Sequence, residues 1–443
     1  MTKSTEEQPV AVPETAKRAG ETLRRWCWVE PTIWTERMLT ALDEGVKGGR
    51  WFSLSDKVHT ERTLRAAFRQ VASNRGTAGV DRVTIAMFEG RLDENLEDLS
   101  HELRKGTYRP QAIRRHYIPK PGSQETRPLG IPTVRDRVVQ TALRMVLEPI
   151  FERDFAEHSY GFRPHRGCKD ALRRVEELLK AGYTTVVDAD LKSYFDTIPH
   201  DRLLALVRQQ VSDGRILALI EGFLKQGVLD GLREWTPARG SPQGAVVSPL
   251  LSNIYLNPLD HVMAHHGFEM VRYADDFVIL CRSPEEAARA LETVQHWTAG
   301  AGLTLHPTKT RIVTATEEGF DFLGYRFEGG TRRPRAKSLD KFKDTIRAKT
   351  KRTSGESLPR IIADLNRTLR GWFEYFKQSH HGTFPRLDGW IRMRLRSILR
   401  KRLGKRGRGR GSDHHRWPNA HFADLGLFSL RAAHASACQS LKR

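Results

Sequence analysis

Tyr273-Ala274-Asp275-Asp276 places two adjacent acids inside an apolar stretch, with Met270-Val271-Arg272 before it and Phe277-Val278-Ile279-Leu280 after it. The pattern predicts a β-hairpin with its carboxylates at the bend. Burying two carboxylates beside a hydrophobic strand costs several kcal/mol unless cations offset it. A divalent metal is the natural counterion, because hard oxygen ligands suit Mg²⁺. A third acid, Asp190, ends a β-branched strand that opens with Thr184-Thr185-Val186-Val187. One carboxylate at a strand end and a pair on a neighbouring hairpin can assemble a two-metal phosphoryl-transfer site, its ions roughly 3.5–4 Å apart. Such a site activates an attacking 3′-oxygen at one ion and holds a triphosphate at the other. Taken alone, Asp190 also reads as a helix N-cap. Asp188, Asp196 and Asp201 are expected to be caps or surface charges.

Lys120 and Arg127 flank a loop stiffened by Pro121, Gly122 and Pro128. They suit a triphosphate, lysine as a point charge and arginine as a fork, although a solvated turn fits that segment equally well. Gly240-Ser241-Pro242-Gln243-Gly244 opens a helix whose backbone N–H groups, with the Gln243 amide, could line a nucleotide pocket. In isolation it is only a loop and a helix start.

The elements that must hold these groups are legible in the periodicity. Trp26 to about Phe68 reads as helical, with Trp28, Ile33, Trp34, Met38 and Leu39 on one face. Residues 74–81 are turn-rich, and 137–180 read as helices broken at Gly161 and Pro164. Helices are expected over most of 200–226, through 246–258 and at 284–300, with a hairpin at 269–281 and short strands to about 328. Interleaved strands and helices indicate an α+β sheet domain. After Gly330 the character changes. Leu358 to Lys377 carries Ile361, Ile362, Leu365, Leu369, Trp372, Phe373 and Phe376 on one stripe. In Trp390 to Leu403, Arg392, Arg396 and Arg400 fall at i, i+4 and i+8, opposite Ile391, Leu395 and Ile398. This predicts one packed face and one face open to phosphates. Gly404 to Gly411 reads as a flexible Gly/Arg loop that nucleic acid would order, and Trp417 to Leu430 as a segment folding back on the domain.

Charge agrees with this division. The chain of 443 residues has a net charge of +21. Residues 1–330 hold 45 Lys+Arg and 45 Asp+Glu, whereas residues 331–443 hold 29 and 8, so the whole excess lies in the last quarter. A neutral body with a basic tail domain implies a polyanionic partner, most simply nucleic acid. Cys27, Cys168, Cys281 and Cys438 lie far apart and form no CxxC pair, so neither a disulfide framework nor a zinc site is suggested. His414-His415 reads as a polar loop rather than a metal site. No apolar signal core and no membrane-length run is present, and a cytoplasmic location without membrane contact is expected. Residues 1–25 are expected to be disordered.

Several motifs occur in a fixed order: Asn74-Arg75-Gly76 with Gly79-Val80-Asp81, Ile118-Pro119-Lys120 with Arg127-Pro128-Leu129-Gly130, and Tyr160-Gly161-Phe162-Arg163-Pro164. They continue with Asp190-Leu191-Lys192, Ser241-Pro242-Gln243-Gly244, Tyr273-Ala274-Asp275-Asp276, Leu303-Thr304-Leu305 before Lys309, and Phe322-Leu323-Gly324. Arg370-Gly371-Trp372 and Trp390-Ile391-Arg392 close the series. In these motifs the chain resembles the reverse transcriptase/maturase proteins encoded by bacterial group II introns, over about residues 28–430.

That resemblance implies an α+β right-hand polymerase followed by an α-helical thumb/maturase domain: an extension and fingers at 26–180, a palm at 181–330 and a basic thumb at 331–443. It implies that Asp190, Asp275 and Asp276 hold two Mg²⁺ ions, that Lys120 and Arg127 bind the dNTP triphosphate, and that Gln243 lines the pocket. Phe195 would be the gate against a ribose 2′-OH, Lys309 would protonate the leaving pyrophosphate, and Phe322, Leu323 and Gly324 would grip the primer. Arg392, Arg396, Arg400, Lys401 and Arg402 would contact intron RNA. The implied partners are group II intron RNA, template–primer and dNTPs, with a homodimer left open. Many family members continue into a nuclease domain with paired cysteines; this chain is expected to lack it. Two other readings stay open: a domesticated polymerase in repair or phage defence, and an RNA-binding maturase without polymerase activity. The intact acidic triad and Ser-Pro-Gln-Gly loop favour the intron-encoded enzyme.

Overall fold

The chain is described here by a computed structural model covering residues 24–46, 48–119 and 126–440. Lys120 and most of the tail expected to be disordered lie outside the described residues. Arg25, which ends that tail, is tied to Asp43 at 3.1 Å.

Among the described residues, the helices α1 (Glu36–Glu44), α2 (Ser55–His59), α3 (Glu61–Ser73), α4 (Ile85–Glu89) and α5 (Leu92–Lys105) precede the first strand. The expected helical face from Trp28 to Leu39 is not one helix, since residues 26–34 form turns ahead of α1. Pro31 accounts for this, because proline disfavours helical backbone at the residue before it. Trp26 and Trp34 are nevertheless buried.

The hairpin β1 (Ile113–Pro119) and β2 (Thr126–Ile131) leads into α6 (Val134–Glu152). Thr133 caps α6 by accepting a hydrogen bond from Asp136 N at 3.1 Å. Residues on every side of α6 are buried, as expected of a helix at the centre of a core. Then follow α7 (Cys168–Lys180), β3 (Thr185–Asp190), α8 (Tyr194–Thr197), α9 (His200–Gln210) and α10 (Gly214–Leu224). A second hairpin, β4 (Val228–Asp230) and β5 (Arg233–Trp235), precedes α11 (Ser248–His265). Next are β6 (Glu269–Tyr273), β7 (Asp276–Cys281), α12 (Pro284–Gly300) and the strands β8 (Arg311–Thr314), β9 (Phe320–Phe322), β10 (Tyr325–Glu328) and β11 (Thr331–Pro334). The described residues end in the helices α13 (Ala336–Lys349), α14 (Leu358–Phe376), α15 (Thr383–Arg402), α16 (Gly411–Arg416), α17 (Asn419–Asp424) and α18 (Leu430–Ser440).

Three sheets result, in the orders β2-β1-β4-β5, β6-β7-β3-β8 and β11-β10-β9. The second is antiparallel throughout and has apolar side chains on both faces. Val187, Ala189, Phe277 and Ile279 join the large core with α6, α11 and α12. Val186, Val271, Val278 and Leu280 join a second cluster with α7, β9, β10 and Phe376. Strand side chains alternate between faces, so Asp188 and Asp190 share the face of Val186, and Asp276 shares that of Val278.

The sheet β2-β1-β4-β5 is mixed, since β4 joins β1 in parallel, Ile113 opposite Val228. Residues 228–235 pair with the first hairpin, and α7 packs on the sheet that carries Asp190. Fragments that short bury their apolar face only on another part of the chain.

In the helical region, the predicted α14 stripe is buried against Phe342, Phe384, Leu395 and Phe422. No helix among the described residues is long and apolar enough to cross a membrane.

Candidate active site

The hairpin of β6 and β7 turns in two residues, Ala274 and Asp275, since Tyr273 pairs with Asp276. Two-residue hairpin loops favour a positive φ at the first position, where glycine is usual. Ala274 takes φ 59° there. Such strain persists only where surroundings over-determine it, and here they do. Arg272, fully buried, donates from Nη1 to Ala274 O at 2.8 Å and to Asn253 Oδ1 at 3.0 Å. Its Nε and Nη2 meet the two oxygens of Asp260 at 2.7 and 2.5 Å. Asn253 and Asp260 both lie on α11, so one guanidinium rivets the turn to that helix.

The other side of the turn rests on residues 158–161. Arg272 N donates to His158 O at 3.0 Å and Tyr160 N to Arg272 O at 2.9 Å. Asn253 Nδ2 donates to Gly161 O at 2.8 Å. A Cβ on Gly161 would overlap the backbone nitrogen of Ala274 and lie 2.9 Å from Tyr273 C. Only glycine allows that approach. Gly161→Ala is therefore expected to lower the melting temperature and to cut the single-turnover primer-extension rate about 10²-fold, because an ångström-scale shift of the turn misaligns its acids.

Asp190 lies directly opposite Asp276 across β3 and β7. Like charges in facing positions repel. Asp276 can be reached by water from the cleft, yet its recessed position, then Asp275, Asp188 and Asp190, push its pKa up to about 7. Asp275 is raised as well, by burial first and by Asp190, with Arg127 and Arg272 opposing. Arg127 thus faces the acids closely enough to be felt. Asp188 is raised chiefly by burial and pairs loosely with Arg311 at 3.4 Å. It was expected to be a cap or a surface charge, and it belongs instead to the acidic cluster. Its i+2 spacing from Asp190 was the available signal.

This donor set fits divalent cations: hard oxygens on adjacent strands, with Asp275 and Asp276 raised first by burial and then by neighbouring carboxylates. As placed, among the described residues no three such side chains converge on one point. Asp190 is drawn aside, its Oδ2 bonded to Lys309 Nζ at 2.5 Å. Lys309 occupies a cation's place beside Asp190.

The remaining predicted residues fall around this cleft or beside it. Phe195 is half-buried, its ring edge-on to Tyr194 at 5.4 Å. Ser241 N donates to Phe195 O at 2.7 Å and Gly130 N to Gln243 O at 2.6 Å, so the 240–244 loop ties α8, which follows the strand ending at Asp190, to β2. Gly244, at φ 104°, lies so close to Gly130 O that no side chain fits. Phe322 is buried in the second core cluster. Leu323 and Gly324 form a two-residue turn at φ 46° and 82°, held by Tyr375 Oη donating to Leu323 O at 2.7 Å. Sequence reasoning missed Asn253, Asp260 and Arg272, because nothing local marks a helix residue as the partner of a strand 12–19 positions away.

The open cationic face of α15 is corrected. Arg396 is buried, donating to Trp417 O at 2.9 Å and Asn419 Oδ1 at 2.8 Å, with its guanidinium over Phe422. Arg400 bonds Asp413 at 2.7 Å and Arg406 O at 2.8 Å. Gly409 lies against Arg396 Cβ, so the Gly/Arg loop expected to be flexible folds onto this stripe. Arg402 donates to Glu356 O, Arg392 is half-buried, and Lys401 is exposed.

Comparison with known proteins bears on this geometry. Residues 118–327 match the family described as reverse transcriptase (RNA-dependent DNA polymerase), and residues 339–417 match the group II intron maturase-specific domain. The chain is 34% identical over 345 residues to Protein YkfC of Escherichia coli (strain K12), covering 69% of this chain and 86% of that protein. It is 39% identical over 194 residues to the group II intron-encoded protein LtrA of Lactococcus lactis subsp. cremoris, covering 44% and 32%. It is 27% identical over 404 residues to the putative COX1/OXI3 intron 1 protein of Saccharomyces cerevisiae, covering 77% and 48%. A polymerase domain of this kind depends on divalent metal and takes RNA and nucleic acid as substrates. With both domains present in order, the chain belongs to the group II intron-encoded reverse transcriptase/maturase family.

Proposed function

We propose that this RNA-directed DNA polymerase copies its own intron RNA with Mg²⁺ and dNTPs, and that its helical domain assists the folding and splicing of that RNA. The observation that carries the reading is the meeting of carboxylates at the ends of β3 and β7, Asp190 opposite Asp276, beside a turn clamped by Arg272 and packed on Gly161. Asp190, Asp275 and Asp276 would hold two Mg²⁺ ions, which when bound supply Lewis acidity at the attacking 3′-oxygen and the leaving pyrophosphate. Arg127 on β2 neutralises the triphosphate, and Lys120 would supply a second cation. The Phe195 ring excludes a 2′-hydroxyl, and Gln243 lines the nucleotide's side of the cleft. Lys309 leaves Asp190 to donate a proton to pyrophosphate. Phe322, Leu323 and Gly324 hold the primer end through the turn fixed by Tyr375. On the basic domain, Arg392, Lys401 and Arg402 remain as RNA phosphate contacts, whereas Arg396 and Arg400 act by holding the fold that presents them.

Primer extension on poly(rA)/oligo(dT) tests the reading. DNA synthesis is expected with Mg²⁺ and none after EDTA. Absence of synthesis by the wild-type protein across Mg²⁺ and Mn²⁺ concentrations overturns it and leaves RNA binding as the activity.

A further inference from the structure

The fingers sheet has two faces, and Arg127 lies on only one of them. Ile118 and Arg127 are directly paired and so share a face, as do His116 and Leu129; this is the face from which Arg127 acts on Asp275. Arg115 and Tyr117 point the other way. Ile113 pairs with Val228, and Val228 with Trp235, so Trp235 lies on that second face, and Arg233 lies two residues along it.

The second face carries a ladder of rings and guanidiniums. Arg115 lies 5.8 Å from the Tyr117 ring centre and 5.2 Å from that of Trp235. Arg233 lies 5.6 Å from Trp235. Tyr117 Oη donates to Asp230 Oδ2 at 2.5 Å, which fixes its ring. Tyr117 is 44% exposed, and Leu232 at the hairpin tip is fully exposed. Beside the ladder a cavity of about 250 Å³ opens between Trp235, Arg239 and Phe195, and Gln243 also lines it.

We propose that this face binds an unpaired RNA strand outside the template–primer cleft, its bases stacking on Tyr117 and Trp235 and its phosphates meeting Arg115, Arg233 and Arg239. Alternating aromatic and cationic groups on a sheet are the general means of holding single strands without sequence preference. Three arginines stand beside two acids, Asp230 and Asp196, which leaves one positive charge in excess (3 − 2 = +1) to meet phosphate. A strand on this ladder runs on the opposite face of the sheet from Arg127, and it borders the nucleotide site only where Phe195 and Gln243 form the cavity wall.

The test uses the full chain loaded with an unlabelled RNA/DNA hairpin bearing a one-nucleotide overhang. Binding of a fluorescent 12-residue oligo(rA) is followed by anisotropy, and single-nucleotide addition to the hairpin is measured in the same samples. Trp235→Ala is expected to weaken oligo binding roughly 5- to 100-fold, Trp235→Phe to retain most of it, and addition to the hairpin to proceed at the wild-type rate. Arg233→Ala is expected to lower the salt dependence of binding by about one ion. Unchanged oligo binding in Trp235→Ala overturns the proposal and turns this face toward a protein partner. Equal losses in Trp235→Ala and Trp235→Phe overturn it as well. Failure of the polymerase reading is separate: it abolishes addition in the wild type while the oligo still binds.

Discussion

Asp275→Asn reduces primer extension by two orders of magnitude or more while leaving the fold at least as stable as wild type. The substitution keeps size and shape and deletes one charge. That charge sits where burial and the facing Asp190 already raise the carboxyl's pKa, so removing it relieves repulsion in the metal-free protein. A stability loss is therefore not the cause of the expected defect. The defect arises because the asparagine amide is a poor ligand for a hard divalent cation, and a site built to bring two cations to reacting oxygens loses its function with one ligand. Steady-state kinetics on poly(rA)/oligo(dT) and a thermal melt measure the two halves of this expectation. Equal rates in mutant and wild type would remove Asp275 from the chemistry. A large fall in melting temperature would reassign it to structure.

Arg272→Met has the larger effect on stability. Arg272 and Asp260 are buried with bidentate geometry at 2.7 and 2.5 Å. Deleting one partner of a buried pair costs about 3–5 kcal/mol, because the other is left charged and unpaired. A melting-temperature loss of the order of 10 °C follows for a unit of this size. Extension falls too, since Ala274 O loses its donor and the positive φ at Ala274 loses its restraint. The double variant Arg272→Met, Asp260→Leu separates the two effects. With both charges gone most stability returns, while the catalytic defect persists because the turn remains unclamped. Recovery of both together would show that Arg272 matters only as a partner of Asp260.

Much of this site was legible without coordinates. Asp190, Asp275 and Asp276 are marked by acids set in β-branched runs, the hairpin by two apolar strands around a four-residue motif, and the cleft's loops by Gly and Pro at 128–130 and 240–244. These signals are local, and backbone preference is local too. The α14 stripe was legible for the same reason, since a 3.6-residue repeat fixes which side chains share a face.

What local pattern does not contain is the neighbour. The Arg392, Arg396 and Arg400 stripe was assigned correctly to one side of α15, but periodicity does not say whether that side meets water or protein. Residues 404–424 cover it, and Arg396 becomes an internal strut. Asp188 gave the same lesson with opposite sign: a residue expected at the surface joins the acidic cluster once β7 and β8 flank β3. The sequence by itself determined the chemistry, because ligand type and hairpin propensity reside in the residues. Only the tertiary structure decided which charges remain available and what holds the Ala274 turn in its strained form. Burial and pairing are set by segments far apart in the chain, and a guanidinium acts as a phosphate ligand or a core brace according to which of them arrives.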